Sequence, residues 1–404
     1  MPDHASIVIG MLDRLTSGGV ELALPDGSRR TLGAPQHGVV RLDVRDPAFF
    51  SRVLRGASVG AGDSYMDGQW SSDDLVGLLR TVIADRAALA RLSPGAIGQI
   101  VLDRARHLAR DNRRAAARRN IAAHYDLSNA FYATFLDETM TYSSAVFATD
   151  QDSLADAQRN KYTRLIELAR IDADCHVLEI GCGWGGFAIH AATTTGCRVT
   201  GITLSQAQAD EARRRVDAVG LADRVAIELG DYRDVAGTYD RVVSIEMLEA
   251  VGHRHLDDYF GTIERVLTGD GLAAFQVITI PEQRYARYRR RPDFIQQRIF
   301  PGGHLPSLES MVSSLRRSSS MFVESVDNIG IHYAETLRRW RVRFLAQRDR
   351  IGQLGFDERF QRMWEFYLAY CEAAFRARYI NDMQFVVTRT GNPTLESFPY
   401  QESV

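Results

Sequence analysis

The stretch that most constrains this chain is residues 175–190, CHVLEIGCGWGGFAIH. An apolar run of β-forming residues (Val177, Leu178, Ile180) meets glycines at positions 181, 183, 185 and 186, and a helix-compatible run follows over 187–192. That order reads as strand, tight turn and helix. Glycine admits positive φ and close approach of the backbone to a ligand, and the free N–H groups at the helix start attract electron-rich groups. The spacing Glu179-x-Gly181-x-Gly183-x-Gly185 is not the dinucleotide fingerprint G-x-G-x-x-G. An acid precedes the glycines, and the third glycine comes one residue early. Taken alone, the turn also suits an ordinary strand-to-helix connection.

The pattern then repeats. Residues 198–202, 225–229, 241–245 and 271–278 read as strands, and 160–171, 205–219 and 255–267 as helices. Strands alternating with helices predict an α/β fold with a doubly wound parallel sheet, whose ligand site lies beyond the carboxyl ends of the strands. The glycine corner, Thr203 to Ser205, Gly230 to Tyr232 and the segment 246–252 all fall there. Near the C-terminus Phe360, Met363, Trp364, Tyr367, Leu368, Cys371 and Phe375 recur at helical spacing, a core pattern, before a closing strand over 384–388.

Ahead of this lies a different texture. Residues 1–88 mix β-like runs (20–24 and 39–44) with helical patterns around Phe49 to Leu54 and over 75–83, which predicts a small α+β unit. Residues 89–120 read as a basic helical linker, and between Asp103 and Asn120 seven arginines (104, 106, 110, 113, 114, 118, 119) stand against two aspartates. This linker suits either a solvated helix face or an arm meeting anionic phospholipid headgroups, each basic residue adding about 1 kcal/mol. Five more arginines lie at 284, 287, 289, 290 and 291.

With 49 basic and 51 acidic residues the net charge is −2, which gives no overall field for nucleic acid; Lys161 is the only lysine. Four cysteines without C-x-x-C spacing predict neither a zinc site nor a disulfide framework. No apolar run approaches the ~18 residues of a spanning helix, so a cytoplasmic protein peripheral to the inner face of the membrane is expected.

Six segments occur in order: HYDLSN at 124–129, TYSS at 141–144, the corner at 179–186, GITLSQAQ at 201–208, SIEMLEAVG at 244–252 and IFPGGHLP at 299–306. The corner resembles motif I of the S-adenosylmethionine (AdoMet) methyltransferases. The ordered set resembles the cyclopropane-fatty-acyl-phospholipid synthase family, which includes the mycolic acid cyclopropane synthases, from about residue 58 to 389. Tyr65-Met66-Asp67-Gly68 is similar to the small domain of full-length synthases. The resemblance implies a class I, Rossmann-like AdoMet methyltransferase domain over 121–404, with residues 1–88 as a lipid or dimer contact.

It also implies a cofactor set. Gly181 and Gly183 would approach the methionine moiety, Tyr125, Tyr142 and Ser143 would close over it, Thr203 and Gln208 would face the ribose, and Tyr232 the adenine. Glu179 and Glu246 complete the set. The implied reaction begins with the π electrons of a cis double bond, on a phospholipid acyl chain, attacking the sulfonium methyl. A bound bicarbonate then removes a proton from the new methyl to close a ring. An alkene has no proton to lose, so the attack needs orientation, dryness and stabilisation of positive charge rather than a base.

The family's bicarbonate site is only partly matched. Glu249 and Tyr333 correspond, and Ile278 is in register, but Ser144 stands where cysteine is usual and Gln276 where histidine is frequent. Serine and glutamine keep donors, yet the loss of histidine removes a proton carrier near neutral pH. Two products therefore stay open, a cyclopropane and a methylene branch of the kind that precedes 10-methyl chains. Glu249 could instead cap the helix after the fourth strand, and Tyr333 could be core. Glu324, Asn328 and the turn at 300–303 favour the functional reading. A homodimer and a separate reductase are open partners, and no metal is expected. Two rival classes are an AdoMet methyltransferase of a small polar metabolite and a non-catalytic lipid-binding module.

Overall fold

The computed structural model describes residues 3–86 and 128–395. Tyr125 and the linker, with the seven arginines between Asp103 and Asn120, lie outside the described residues. The chain forms two compact units, one of Met1–Arg110, Ala286–Pro301 and Tyr333–Ile380, the other of Asp111–Tyr285, Gly302–His332 and Asn381–Val404.

In the first unit β1 (Gly19–Ala23), β2 (Arg29–Gly33), β3 (Val39–Val44) and β4 (Trp70–Ser71) pair in the order β2-β1-β3-β4. A turn through Asp26 and Gly27 joins β1 to β2, with Asp26 Oδ1 accepting from the Ser28 N–H at 2.9 Å. The sequence reading does not anticipate β2, because only Leu32 of its five residues is buried and the strand carries no apolar alternation. The helix Glu358–Arg376 buries Trp364, Tyr367, Leu368 and Phe375, as its spacing predicts. Its Phe366 meets Tyr65 and Trp70 with ring centroids 5.6 and 6.2 Å apart.

The second unit holds a seven-stranded sheet of β5 (His176–Ile180), β6 (Arg198–Thr203), β7 (Val225–Leu229), β8 (Tyr239–Ile245), β9 (Leu267–Thr279), β10 (Met321–Asn328) and β11 (Asn381–Arg389), in the order β10-β11-β9-β8-β5-β6-β7. Strands β5 to β9 pair in parallel, as predicted, while β11 runs antiparallel to both β9 and β10. The two-residue period of β5 sends Val177 into one core layer, with Leu165 and Phe187, and sends Leu178 and Ile180 into the other, with Phe260 and Met311. The reading from sequence also missed β10. It is an edge strand with only Met321 buried, and its acidic and serine positions carry no apolar period. Among the described residues no helix is long and apolar enough to cross a membrane, and no group of side chains is arranged to hold a metal. Three of the four cysteines are buried and none is paired.

Candidate active site

The carboxyl ends of β5, β6 and β8 open into a cavity, and the turn after β5 shapes its floor. Gly181, Gly183 and Gly185 adopt φ of +85°, +52° and +77°. The Gly181 and Cys182 N–H groups both donate to Ile202 O, at 2.9 and 3.0 Å, which ties the corner to β6. A Cβ on Gly181 would lie 2.7 Å from Met247 Cγ, whereas one on Gly183 would stand in open space. Gly183 lines the cavity, so that space is the cavity's own.

Nine of the ten expected cofactor positions line this one cavity: Tyr142, Ser143, Glu179, Gly181, Gly183, Thr203, Gln208, Tyr232 and Glu246. The tenth, Tyr125, lies outside the described residues. Thr203 Oγ1 donates to Gln208 Oε1 at 2.9 Å, which fixes the carboxamide and leaves its NH2 to donate. Tyr232 follows β7 in the turn Tyr232–Asp234, its ring edge-on to Tyr259 at 5.3 Å. Glu179 is 3% exposed, and its Oε2 has no hydrogen-bond partner. Burial pushes its carboxyl up to about 8, against the pull of Lys161. A buried, unpartnered carboxylate oxygen on the lining suits a ligand that carries positive charge, as a sulfonium does.

Behind one lining residue, Glu246, lies a side-chain cluster. Glu246 follows β8 with φ of +51°, a conformation that costs a non-glycine residue about 1–3 kcal/mol unless its surroundings hold it. They do: its Oε1 accepts from the Ser144 N–H and from Gln276 Nε2, each at 2.8 Å. Gln276 Nε2 also reaches Ser144 O at 3.2 Å and Asp382 Oδ2 at 3.1 Å, and Gln276 Oε1 accepts from Gln384 Nε2 at 3.0 Å. Glu249 sits in the short turn Leu248–Ala250 and accepts the Ile278 N–H at 2.5 Å, so its carboxylate holds the backbone of β9 and caps no helix. Its Oε2 has no partner. Burial, with Glu246 adding, pushes the Glu249 carboxyl up to about 8, and burial among Glu246 and Glu249 pushes Asp382 well up as well.

The remaining expected residues are placed differently. Ser144 Oγ donates to Ala145 O at 3.0 Å. Tyr333 belongs to the first unit, where its ring stacks on Phe375 at 4.5 Å and meets Trp340 edge-on. Glu324 and Asn328 lie exposed on the edge strand β10 and do not line the cavity. The turn after residue 300 reaches the site through main chain, the His304 N–H donating to Glu249 O at 2.8 Å.

Sequence reasoning missed Asp382, Gln384 and the role of Lys161, whose Nζ donates to Ser143 Oγ at 2.7 Å from a fully buried position. The one available signal was compositional, a single lysine among 49 basic residues.

Residues 112–385 match the family profile described as mycolic acid cyclopropane synthetase. The tuberculostearic acid methyltransferase UfaA1 of Mycobacterium tuberculosis is 45% identical over 359 residues, covering 86% of this chain and 83% of the relative. The cyclopropane-fatty-acyl-phospholipid synthase of Escherichia coli is 36% identical, covering 86% and 87%. Among solved structures, mycolic acid cyclopropane synthase CmaA1 complexed with SAH and CTAB is 30% identical with a TM-score of 0.63, covering 67% of this chain and 98% of that one. Coclaurine N-methyltransferase, at 20% identity and a TM-score of 0.64, shares the fold. The α/β sheet is thus that of the class I AdoMet methyltransferases.

Proposed function

The chain belongs to the mycolic acid cyclopropane synthetase family, and on that premise we propose that it is an AdoMet-dependent C-methyltransferase adding one carbon to the cis double bond of unsaturated phospholipid acyl chains. The observation that carries the reading is the acid-lined cavity, with Glu179 and Glu246 on its wall and the Glu179 Oε2 unpartnered. AdoMet, when bound, supplies an electrophilic sulfonium methyl. The chain's own residues then have three tasks. The backbone at Gly181 and Gly183 admits the methionine moiety, Gln208 donates to the ribose, and Tyr232 offers a ring to the adenine. After the alkene attacks, Glu246 and Glu249 stabilise the carbocation on the acyl chain in a site of low dielectric.

The product we propose is the methylene branch. Three of the donors that the resemblance assigns to bicarbonate are engaged inside the protein: Gln276 with Glu246, Ser144 and Asp382, the Ser144 hydroxyl with Ala145 O, and the Ile278 N–H with Glu249. A further anion would have to displace those bonds beside the carboxyls of Glu246, Glu249 and Asp382, so these residues do not suit it. A hydride instead shifts from the methyl-bearing carbon to the adjacent cationic carbon, which moves the charge to the branch point. The transferred methyl then loses a proton to a carboxylate of this cluster, leaving the methylene. The name of the 45% identical relative, a tuberculostearic acid methyltransferase, supports a branched product; a separate reductase would then complete the methyl branch.

Mass spectrometry and NMR of lipids from a host expressing the protein test both parts. Acyl chains one carbon heavier with exomethylene protons are expected. Cyclopropane as the sole product overturns the branch, and no added carbon overturns the activity.

Finer assignments belong to the same proposal. The transfer chemistry resides in 121–404, residues 1–88 provide a lipid or dimer contact, and Arg113, Arg114, Arg118 and Arg119 draw the protein to anionic membrane. Replacing those four by glutamine should weaken binding to anionic vesicles, and salt should do the same over about a Debye length. Salt-independent binding, or equal binding to neutral vesicles, counts against the contact.

A further inference from the structure

The chain's only lysine is enclosed, and what encloses it is the wall of the cavity. Lys161 lies in the helix Leu154–Leu168 with no exposed surface, and its Nζ donates to Ser143 Oγ at 2.7 Å. One turn earlier, Gln158 Nε2 donates to Ser143 O at 2.9 Å. The next residue, Tyr162, bonds through its hydroxyl to Thr141 Oγ1. Positions 158, 161 and 162 are spaced i, i+3 and i+4, so one helix face holds the segment 141–143 at three atoms. That segment follows Met140, whose φ of +55° is a strained conformation needing such support. It leads into Ser144, whose N–H is fixed on Glu246 at 2.8 Å.

The chemistry of the contact sets the direction of a proton. An ammonium has donors only, so Ser143 Oγ must accept from Lys161, and the hydroxyl's own hydrogen must go elsewhere. Among the described residues that hydrogen has no acceptor. Ser143 lines the cavity, whereas Lys161 does not. The acidic groups that face Lys161 are Glu246, Asp382, Asp137 and Glu179, and the Tyr162 ring lies 4.7 Å from its Nζ. A compact ammonium serves this single-oxygen contact, where the five-donor fork of arginine would leave buried donors unpaired.

We propose that Lys161, with Gln158 and Tyr162 on the same helix face, is a positioning device of the methyl-donor pocket, fixing Ser143 so that its hydroxyl proton is delivered into the cavity to an anionic oxygen of the methionine moiety. This rests on the reading of the cavity as an AdoMet site. Lys161 acts through Ser143 and touches no reacting atom.

Calorimetry of the full chain against AdoMet and S-adenosylhomocysteine tests it, with Ser143→Ala, Lys161→Met and the double variant. Each single change should weaken both ligands about tenfold, the scale of one charge-assisted hydrogen bond. The double variant should be no weaker than the weaker single, because both changes remove the same delivered proton. Unchanged affinity in Ser143→Ala overturns the inference, as does a double variant whose loss is the product of the two single losses. Should Lys161→Met fail to fold, Gln158→Ala takes its place in the cycle, with an expected loss of about threefold that vanishes in the Ser143→Ala background; a loss that persists there overturns the inference. If the unaltered protein binds neither ligand, the AdoMet reading itself falls, which is a separate result from a wild type that binds and a Ser143→Ala that binds equally well.

Discussion

The two ends of the cavity are made of different material. At the glycine end the ligand wall is main chain, drawn from one short run after β5, with three glycines at positive φ. At the carboxylate end the wall is the Glu246 side chain, held from behind by the Ser144 N–H and by Gln276, which Asp382 holds in turn. The first end depends on what is missing, a Cβ. The second depends on what is present and on which partner each group has chosen. A fault at the first end should therefore cost binding, and a fault at the second should cost chemistry.

Gly183→Val tries the first half of that contrast, and we expect it to have the largest effect. A branched residue resists φ of +52° and fills the space the methionine moiety needs. AdoMet affinity should fall by more than about a hundredfold in calorimetry; unchanged affinity would remove the assignment of the corner. Glu249→Gln tries the second half. The shape is kept and the group that can ionise opposite the developing cation is lost, so turnover should drop about 10²- to 10³-fold while AdoMet affinity stays within about threefold. If affinity falls in step with turnover, the two ends are not separable in this way.

A smaller effect is expected from the double reversion Ser144→Cys with Gln276→His. It frees the Glu246 and Asp382 oxygens that Gln276 now occupies and installs a proton carrier, so cyclopropane should rise severalfold relative to methylene lipid in NMR of the extract. A methylene-only product from a folded, active double variant would show that the two positions do not steer the proton.

The smallest effect is on stability. The Glu179 and Glu249 carboxyls are pushed up to about 8 by burial, so between roughly pH 4.5 and 8 the folded chain keeps protons that the unfolded chain has released. Stability of the ligand-free protein should therefore fall as pH rises through that window, by the sign of proton linkage. Urea unfolding of Glu249→Gln should show a shallower fall, and an equal slope would show that Glu249 is not one of the groups responsible.

The same division explains what could be read in advance. The glycine corner, β5 to β9 and the helix Glu358–Arg376 are local patterns, and each was legible in its own residues. The strands β2 and β10 were not, because exposure removed their alternation. Asp382 and Gln384 escaped for another reason. They enter the site because β11 pairs with β9 in a register that sets Asp382 opposite Ile278 and Gln384 opposite Gln276. Register is a property of two strands together and is written in neither alone. Lys161 was visible as an oddity of composition, but its partner, Ser143, lies on a loop whose position only the folded sheet decides.

The place of β11 in the sheet has a consequence for how the protein comes into being. This strand lies between β9 and β10, yet it leaves the ribosome after both of them. A nascent chain can lay down the glycine corner and β5 to β9 while residues 381–389 are still unmade, since folding during synthesis proceeds from the N-terminus. Until that strand slots in, Gln276 lacks Asp382 and Gln384, and Glu246 lacks a fixed Gln276 amide. The cluster that would govern a carbocation is thus withheld until residues 381–389 have been made, and a chain cut short before residue 381 cannot assemble it.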